Sequence, residues 1–113
     1  RLPRLIGETR AKQLIFTGQT ISAQTALEWG LINSVQTAGT LLEETLALAA
    51  AIAQNSPFAV SRAKRSVNGG REMLPEEALE WERDLFGECG DSRDRREGMT
   101  AFIEKRPRVF TGE

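Results

Sequence analysis

A chain of 113 residues with 15 Lys or Arg, 16 Asp or Glu and a net charge of −1 is at most one domain's worth of protein. That balance leaves no electrostatic footprint for nucleic acid. The absence of histidine and the single cysteine exclude imidazole bases, Ser-His-Asp and Cys-His nucleophiles, His-based or Cys-rich metal sites and an internal disulfide.

A hydrophobic fraction of 40% suffices for a core, so disorder is not expected. Residues 1–7, Arg-Leu-Pro-Arg-Leu-Ile-Gly, are too short and too interrupted for a signal peptide. The longest apolar run, Leu46 to Ala53, falls far below the roughly 20 residues that span a bilayer. Cys89 without a partner fits a reducing compartment. The expectation is a cytoplasmic protein with no membrane and no nucleic-acid partner.

The pattern is helical nearly throughout. Thr9–Phe16 reads as a helix with Ala11, Leu14 and Ile15 able to face a core, stopped by Thr17-Gly18. Ser22 is a good N-cap for Ala23–Trp29, and Gly30 is the residue expected just past its end. Leu31-Ile32-Asn33-Ser34-Val35 is the one plausible strand, too short to make a sheet alone. Thr40 caps a helix to Gln54 with Leu42, Leu46, Ala49 and Ala53 on one stripe. Ser56-Pro57 starts the next, with proline at the first helical position, where its missing N–H costs nothing; Val60, Ala63 and Val67 form its apolar stripe and Asn68-Gly69-Gly70 its end. Pro75 opens a helix whose apolar surface is Ala78, Leu79, Trp81, Leu85 and Phe86, broken at Cys89-Gly90-Asp91. Ser92 caps a last helix carrying Met99, Phe102 and Ile103, Pro107 ends it, and Val109–Gly112 is an extended tail.

Candidate chemistry is sparse. Glu43-Glu44, Glu76-Glu77 and Glu80-Trp81-Glu82 sit on polar faces or in first turns, where acidic residues are favourable anyway. Gly69-Gly70 follows a helix and is not itself followed by a helix start, so it reads as a helix stop rather than a phosphate loop. The Ser92-Arg93-Asp94-Arg95-Arg96 run, interleaved with Asp91 and Glu97, reads as a solvated, ion-paired helix start. Glu88 and Asp91 beside Cys89 blunt its thiol, leaving it structural. Phe86, Met99, Phe102 and Ile103 read most simply as core or as a helix–helix contact, with Lys105 and Arg106 placed by the helix dipole. The functional alternative sets those two cations against an anionic ligand above an apolar groove.

The ordered series of segments resembles the enoyl-CoA hydratase/isomerase, or crotonase, superfamily. It runs through Arg1-Leu-Pro-Arg-Leu-Ile-Gly7, Phe16-Thr-Gly18, Ile21-Ser-Ala23, Ala26, Gly30-Leu-Ile-Asn33 and Val35. It continues through Pro57, Ala59, Lys64, Glu97-Gly-Met-Thr-Ala-Phe-Ile-Glu-Lys-Arg106 and Phe110. The likeness is to the C-terminal portion of such proteins, and the start at Arg1 rather than Met fits a piece of a longer chain. It implies a mostly α segment, the C-terminal helical region of a crotonase-like α/β fold with one short strand near 31–35. Residues 1–36 would pack on an upstream core, and residues 37–113 would form a helical assembly region.

The resemblance also implies an acyl-CoA thioester substrate, no further cofactor, and a homo-oligomer, trimer or hexamer. Addition of water to a 2-enoyl-CoA is the expected reaction and isomerisation the alternative. The oxyanion-hole amides and paired glutamates of the family have no counterpart here, so no residue of this chain is expected to be catalytic, and the chain alone is expected to be inactive. Phe86 and Lys105 match positions that contact the CoA adenine and phosphate region. Gly90 departs from the pattern, since relatives often carry phenylalanine there. A helical self-association module with no ligand is the competing expectation.

Overall fold

The computed structural model describes all 113 residues. It contains α1 (Leu2–Ile6), α2 (Glu8–Thr17), α3 (Ala23–Glu28), α4 (Leu41–Ala53), α5 (Pro57–Gly70), α6 (Pro75–Gly90) and α7 (Arg93–Glu104), and no strand. The mostly α expectation holds. Two compact units divide the chain, Arg1–Glu44 and Thr45–Glu113. No helix is long and apolar enough to cross a membrane.

In the first unit α1 and α2 pack together around buried Ile6 and Ala11, and Ala26 of α3 is buried too. Ile15, expected to face a core, is instead exposed, as is Phe16. Ser22 Oγ accepts the Thr25 N–H at 3.0 Å and so caps α3. The other end of α3 closes by two bonds, Gly30 N–H to the Leu27 carbonyl and Leu31 N–H to the Ala26 carbonyl, both 2.9 Å. That closure needs the left-handed φ of 74° at Gly30, which glycine adopts at low cost.

The same closure corrects the strand expected at 31–35. Leu31 spends its N–H on the helix end, residues 31–33 bend, and no extended segment of the chain pairs with them in a ladder. Beside it the Arg10 guanidinium lies 5.1 Å from the centre of the Trp29 ring.

Helix α4 begins where the Thr40 carbonyl accepts the Glu44 N–H at 3.0 Å. It buries none of its residues; Leu42 and Leu46, from its expected apolar stripe, are exposed.

In the second unit α5 and α6 form an antiparallel pair, with Gly70 beside Ala78, Gly69 beside Trp81 and Arg62 Nε donating to Glu88. The two glycines are the last residues of α5, so the helix ends where the sequence placed its stop. They allow close approach: a Cβ at Gly69 would lie 3.0 Å from Trp81 Nε1, and one at Gly70 would lie 3.5 Å from the Ala78 Cβ. The indole donates to the Arg65 carbonyl at 3.4 Å, and the Arg65 guanidinium lies 5.3 Å from the ring centre. Leu85 is the largest fully buried side chain. At the start of α6 the Glu77 carboxylate accepts the Leu74 N–H at 3.2 Å, which serves where leucine offers no side-chain cap.

Two glycine substitutions separate packing from propensity. Gly87, inside α6, has nothing within 4 Å of an added Cβ, so Gly87→Ala should stabilise by about 0.5–1 kcal/mol. Gly69→Leu should instead drive Trp81 off α5 and destabilise by about 1–3 kcal/mol. Urea melts followed by circular dichroism check both; equal shifts for the pair would contradict the close-approach role of Gly69.

Candidate functional site

The N-terminus of α7 is built by its cap. Ser92 Oγ accepts the Arg95 N–H at 3.1 Å and donates to the Cys89 carbonyl at 2.8 Å, which fixes the break between α6 and α7. Asp94 follows in the first turn. The sequence suggested a solvated position; the structure buries it to 2% exposure.

A buried carboxylate must be hydrogen-bonded, and this one is saturated. Ser56 Oγ donates to Oδ2 at 2.5 Å while accepting the Ala59 N–H at 3.1 Å as the cap of α5. Thr111 N–H donates to Oδ1 at 2.8 Å, and Gly112 N–H lies 3.2 and 3.1 Å from the two oxygens. Burial by itself raises the Asp94 pKa, but the bonds from Ser56, Thr111 and Gly112 outweigh it and hold the carboxyl below its ordinary 3.8.

One turn on, Glu97 accepts two bonds from Arg106, Nη1 to Oε1 at 2.6 Å and Nη2 to Oε2 at 2.8 Å, and a third from the Val109 N–H at 2.8 Å. The Arg106 side chain first, then the Val109 N–H, lower its pKa from 4.5 to about 2. Arg106 is held in its charged form by the same contacts, and its Nε also donates to Glu104 at 2.7 Å. Asp94 and Glu97 thus lash residues 106–112 back along α7. Phe110 lies against Gly98, where an added Cβ would be 3.5 Å from the ring. The spacing of Asp94 and Glu97, three apart on one helix face, was visible in sequence; that the tail supplies their donors was not.

Two open grooves flank α6. One, of about 580 Å³, is lined by Phe86, Cys89, Gly90, Met99, Phe102 and Phe110 among others. The second, of about 670 Å³ between α5 and α6, is lined by Arg62, Ser66, Val67, Leu79, Arg83 and Phe86 among others. Phe86 serves both grooves and is 79% exposed, so the simple core reading of this ring does not hold. Phe102 and Ile103 are also exposed. Gly90 opens onto the first groove, with nothing within 4 Å of an added Cβ.

Lys105 lines neither groove. It is exposed, and it is the only non-glycine residue with a positive φ, 54°. It stands where glycine usually closes a helix: its N–H reaches the Phe102 carbonyl at 3.3 Å and the Arg106 N–H reaches the Ala101 carbonyl at 3.0 Å. A lysine there costs about 1–2 kcal/mol in backbone sterics. No carboxylate lies within ion-pair distance of its ammonium. Phe86 and Lys105 are therefore not brought together on one surface groove.

A general base needs a free lone pair and a pKa near the working pH. Asp94 has its lone pairs filled and a lowered pKa, and Glu97 is bound by Arg106 and Val109 with its pKa at about 2, so these two carboxylates are structural.

The second unit thus presents an open groove lined by Phe86, Phe102 and Phe110 and, apart from it, an exposed lysine at the end of α7. The chain belongs to the enoyl-CoA hydratase/isomerase family, whose family model matches residues 1–113. It is 44% identical over 106 residues to a short-chain-enoyl-CoA hydratase of Clostridium acetobutylicum, covering 94% of this chain and 41% of that one. It is 42% identical over 110 residues to a mitochondrial enoyl-CoA hydratase of Pongo abelii, covering 97% of this chain and 38% of that one. The crystal structure of enoyl-CoA hydratase from Bacillus anthracis superposes with a TM-score of 0.96 at 42% identity, covering 99% of this chain and 43% of that one. The chain spans about two fifths of the length of these relatives.

The two hydrogen-bonded carboxylates give a pH signature. Each has a folded pKa below its unfolded one, so its stabilisation is complete above the unfolded value and lost as pH falls toward the folded value. For Glu97 the window runs from 4.5 down to about 2, and for Asp94 it opens below 3.8. Asp94→Asn should lose about 2 kcal/mol at pH 7 and show a smaller difference from the unsubstituted chain near pH 2. Urea midpoints at the two pH values measure this; a pH-independent difference would refute the ionised, hydrogen-bonded role of Asp94.

Proposed function

We propose that this chain is the C-terminal helical portion of an enoyl-CoA hydratase-like lyase acting on acyl-CoA thioesters, with addition of water to a 2-enoyl-CoA as its reaction. The match along residues 1–113 to the enoyl-CoA hydratase/isomerase family carries this reading. The hydratase names of the two relatives described above support water addition over isomerisation. Hydration of an enoyl thioester needs fixed donors for the charge that builds on the thioester oxygen and paired acid/base groups for the water. With Asp94 and Glu97 engaged elsewhere, those groups would come from the part of the enzyme that the relatives have and this chain does not span.

In this proposal the chain supplies part of the CoA site and a surface for assembly into a homo-oligomer, trimer or hexamer. Phe86 would stack on the adenine and Lys105 would pair with phosphate. The support for Phe86 is an exposed ring at the junction of two grooves. The support for Lys105 is an exposed lysine at the end of α7 in the position that the family pattern singles out. Lys105 lies outside the grooves of this chain, which fits contacts made from two copies. The uncovered apolar residues of α4, α6 and α7 favour assembly, and they equally support a self-association module without a ligand.

Coenzyme A titration separates the two. Lys105→Gly should weaken coenzyme A binding without lowering the Tm, because glycine relieves the left-handed strain; unchanged affinity would remove Lys105 from the site. The purified 113-residue chain should not hydrate crotonyl-CoA, and turnover above a heat-killed control would overturn the assignment of catalysis to other parts of the enzyme.

A further inference from the structure

Asn68 and Gly69 stand side by side in the last turn of α5, which ends at Gly70. Of the three asparagines, Asn33, Asn55 and Asn68, only Asn68 precedes a glycine. Its side chain is exposed and has no hydrogen-bond partner, whereas Asn55 Nδ2 donates to the Ala51 carbonyl at 3.0 Å. An asparagine amide is an acyl centre, and the backbone nitrogen of the next residue is the nucleophile closest to it along the chain. Glycine leaves that nitrogen unshielded, because it has no Cβ. In the helix the nitrogen is held back, since the Gly69 N–H belongs to the Arg65 carbonyl four residues earlier. Trp81 adds to the hold. Its indole donates to the same carbonyl at 3.4 Å, and its ring lies so close to Gly69 that an added Cβ would be 3.0 Å from Nε1. Two glycines lower the helix propensity of this turn, and only short-turn bonds follow it, Glu72 N–H to the Gly69 carbonyl at 3.1 Å and Met73 N–H to the Gly70 carbonyl at 3.3 Å. With the other end of α5 capped by Ser56, this is the end that opens first.

We propose that Asn68-Gly69 is a site of spontaneous deamidation and that Trp81 is its guard. When the last turn of α5 opens, the Gly69 nitrogen attacks Asn68 Cγ and gives up its proton. The N–Cγ bond forms, the Cγ–Nδ2 bond breaks, and ammonia leaves with that proton. The five-membered succinimide that results takes up one water. Addition at Cγ gives aspartate at position 68, and addition at the main-chain carbonyl gives isoaspartate, whose backbone runs through the former side chain. Nothing is oxidised or reduced. Either product sets a carboxylate at the carbonyl end of α5, where the helix dipole disfavours it and the last turn holds no basic residue. Isoaspartate also lengthens the backbone by one methylene, which carries Gly69 away from Trp81. The modification therefore strikes the contact between α5 and α6, and it needs neither a ligand nor the reaction proposed above.

The test incubates the full 113-residue chain in mildly alkaline buffer. Peptide mapping by mass spectrometry follows position 68, isoaspartyl methyltransferase labels the isoaspartate, and a peptide of residues 65–72 serves as the unguarded reference. The expected result is both products at position 68, formed about tenfold more slowly than in the peptide, as for a turn that is open a tenth of the time. Trp81→Ala should raise the rate in the folded chain by about threefold to tenfold. Asn68→Gln, whose ring closure needs six members, should remain unmodified on the same timescale. No product at position 68 after many half-lives of the peptide reaction overturns the site. A rate equal to that of the peptide, or one unchanged in Trp81→Ala, overturns the guard. Should Trp81→Ala unfold as a whole, Trp81→Phe takes its place, since it removes the indole N–H and keeps a ring; a faster reaction again supports the guard and an unchanged one overturns it.

Discussion

The second unit turns on one buried carboxylate. Asp94 joins the start of α5, the first turn of α7 and the C-terminal tail, which have no continuous covalent neighbour in common. Burial of an ionised group is unfavourable unless its oxygens are filled, so the carboxylate acts as a demand for donors. Ser56 answers it with the one proton of its hydroxyl while its oxygen caps α5. A rotation of α5 that broke the first bond would uncap the helix. The tail answers with backbone amides, which makes the contact depend on the path of the chain more than on its side chains.

Around this polar joint the apolar surface is distributed outward. Leu85 and Ala101 are buried, while Phe86, Met99, Phe102 and Ile103 are exposed, the first three along the groove beside α6. A group of helices that fastens itself with hydrogen bonds and ion pairs at its edges can leave its rings available for other surfaces. The second unit therefore keeps its internal order in bonds that a contacting surface need not disturb.

Helix starts were legible in the sequence because their chemistry is local. Ser22, Ser56 and Ser92 each accept an N–H three residues on, and Pro57 and Pro75 stand where proline suits a first turn. What was not legible is non-local. Gly69-Gly70 reads as a helix stop and α5 does end there, but that the pair also lets Trp81 and Ala78 approach closely depends on residues of the next helix. Asp94 reads as solvated because its donors come from residues 56, 111 and 112. The 31–35 segment has strand-like composition, yet the closure of α3 takes its first amide and no ladder is present to compete. At the candidate site the family pattern singled out Phe86 and Lys105; the left-handed turn at Lys105, and the ion pairs that bracket it, came only with the coordinates.

The tryptophans fall one to each unit, and each has an arginine over its ring. Trp29 sits under Arg10 at the end of α3, and Trp81 under Arg65 in the contact between α5 and α6. Fluorescence from the whole chain is therefore the sum of two independent sentinels. Replacing Trp29 by phenylalanine would leave a single emitter whose quenching and shift report on the α5–α6 seam alone, so that the loosening of one unit can be timed against that of the other in the same molecule.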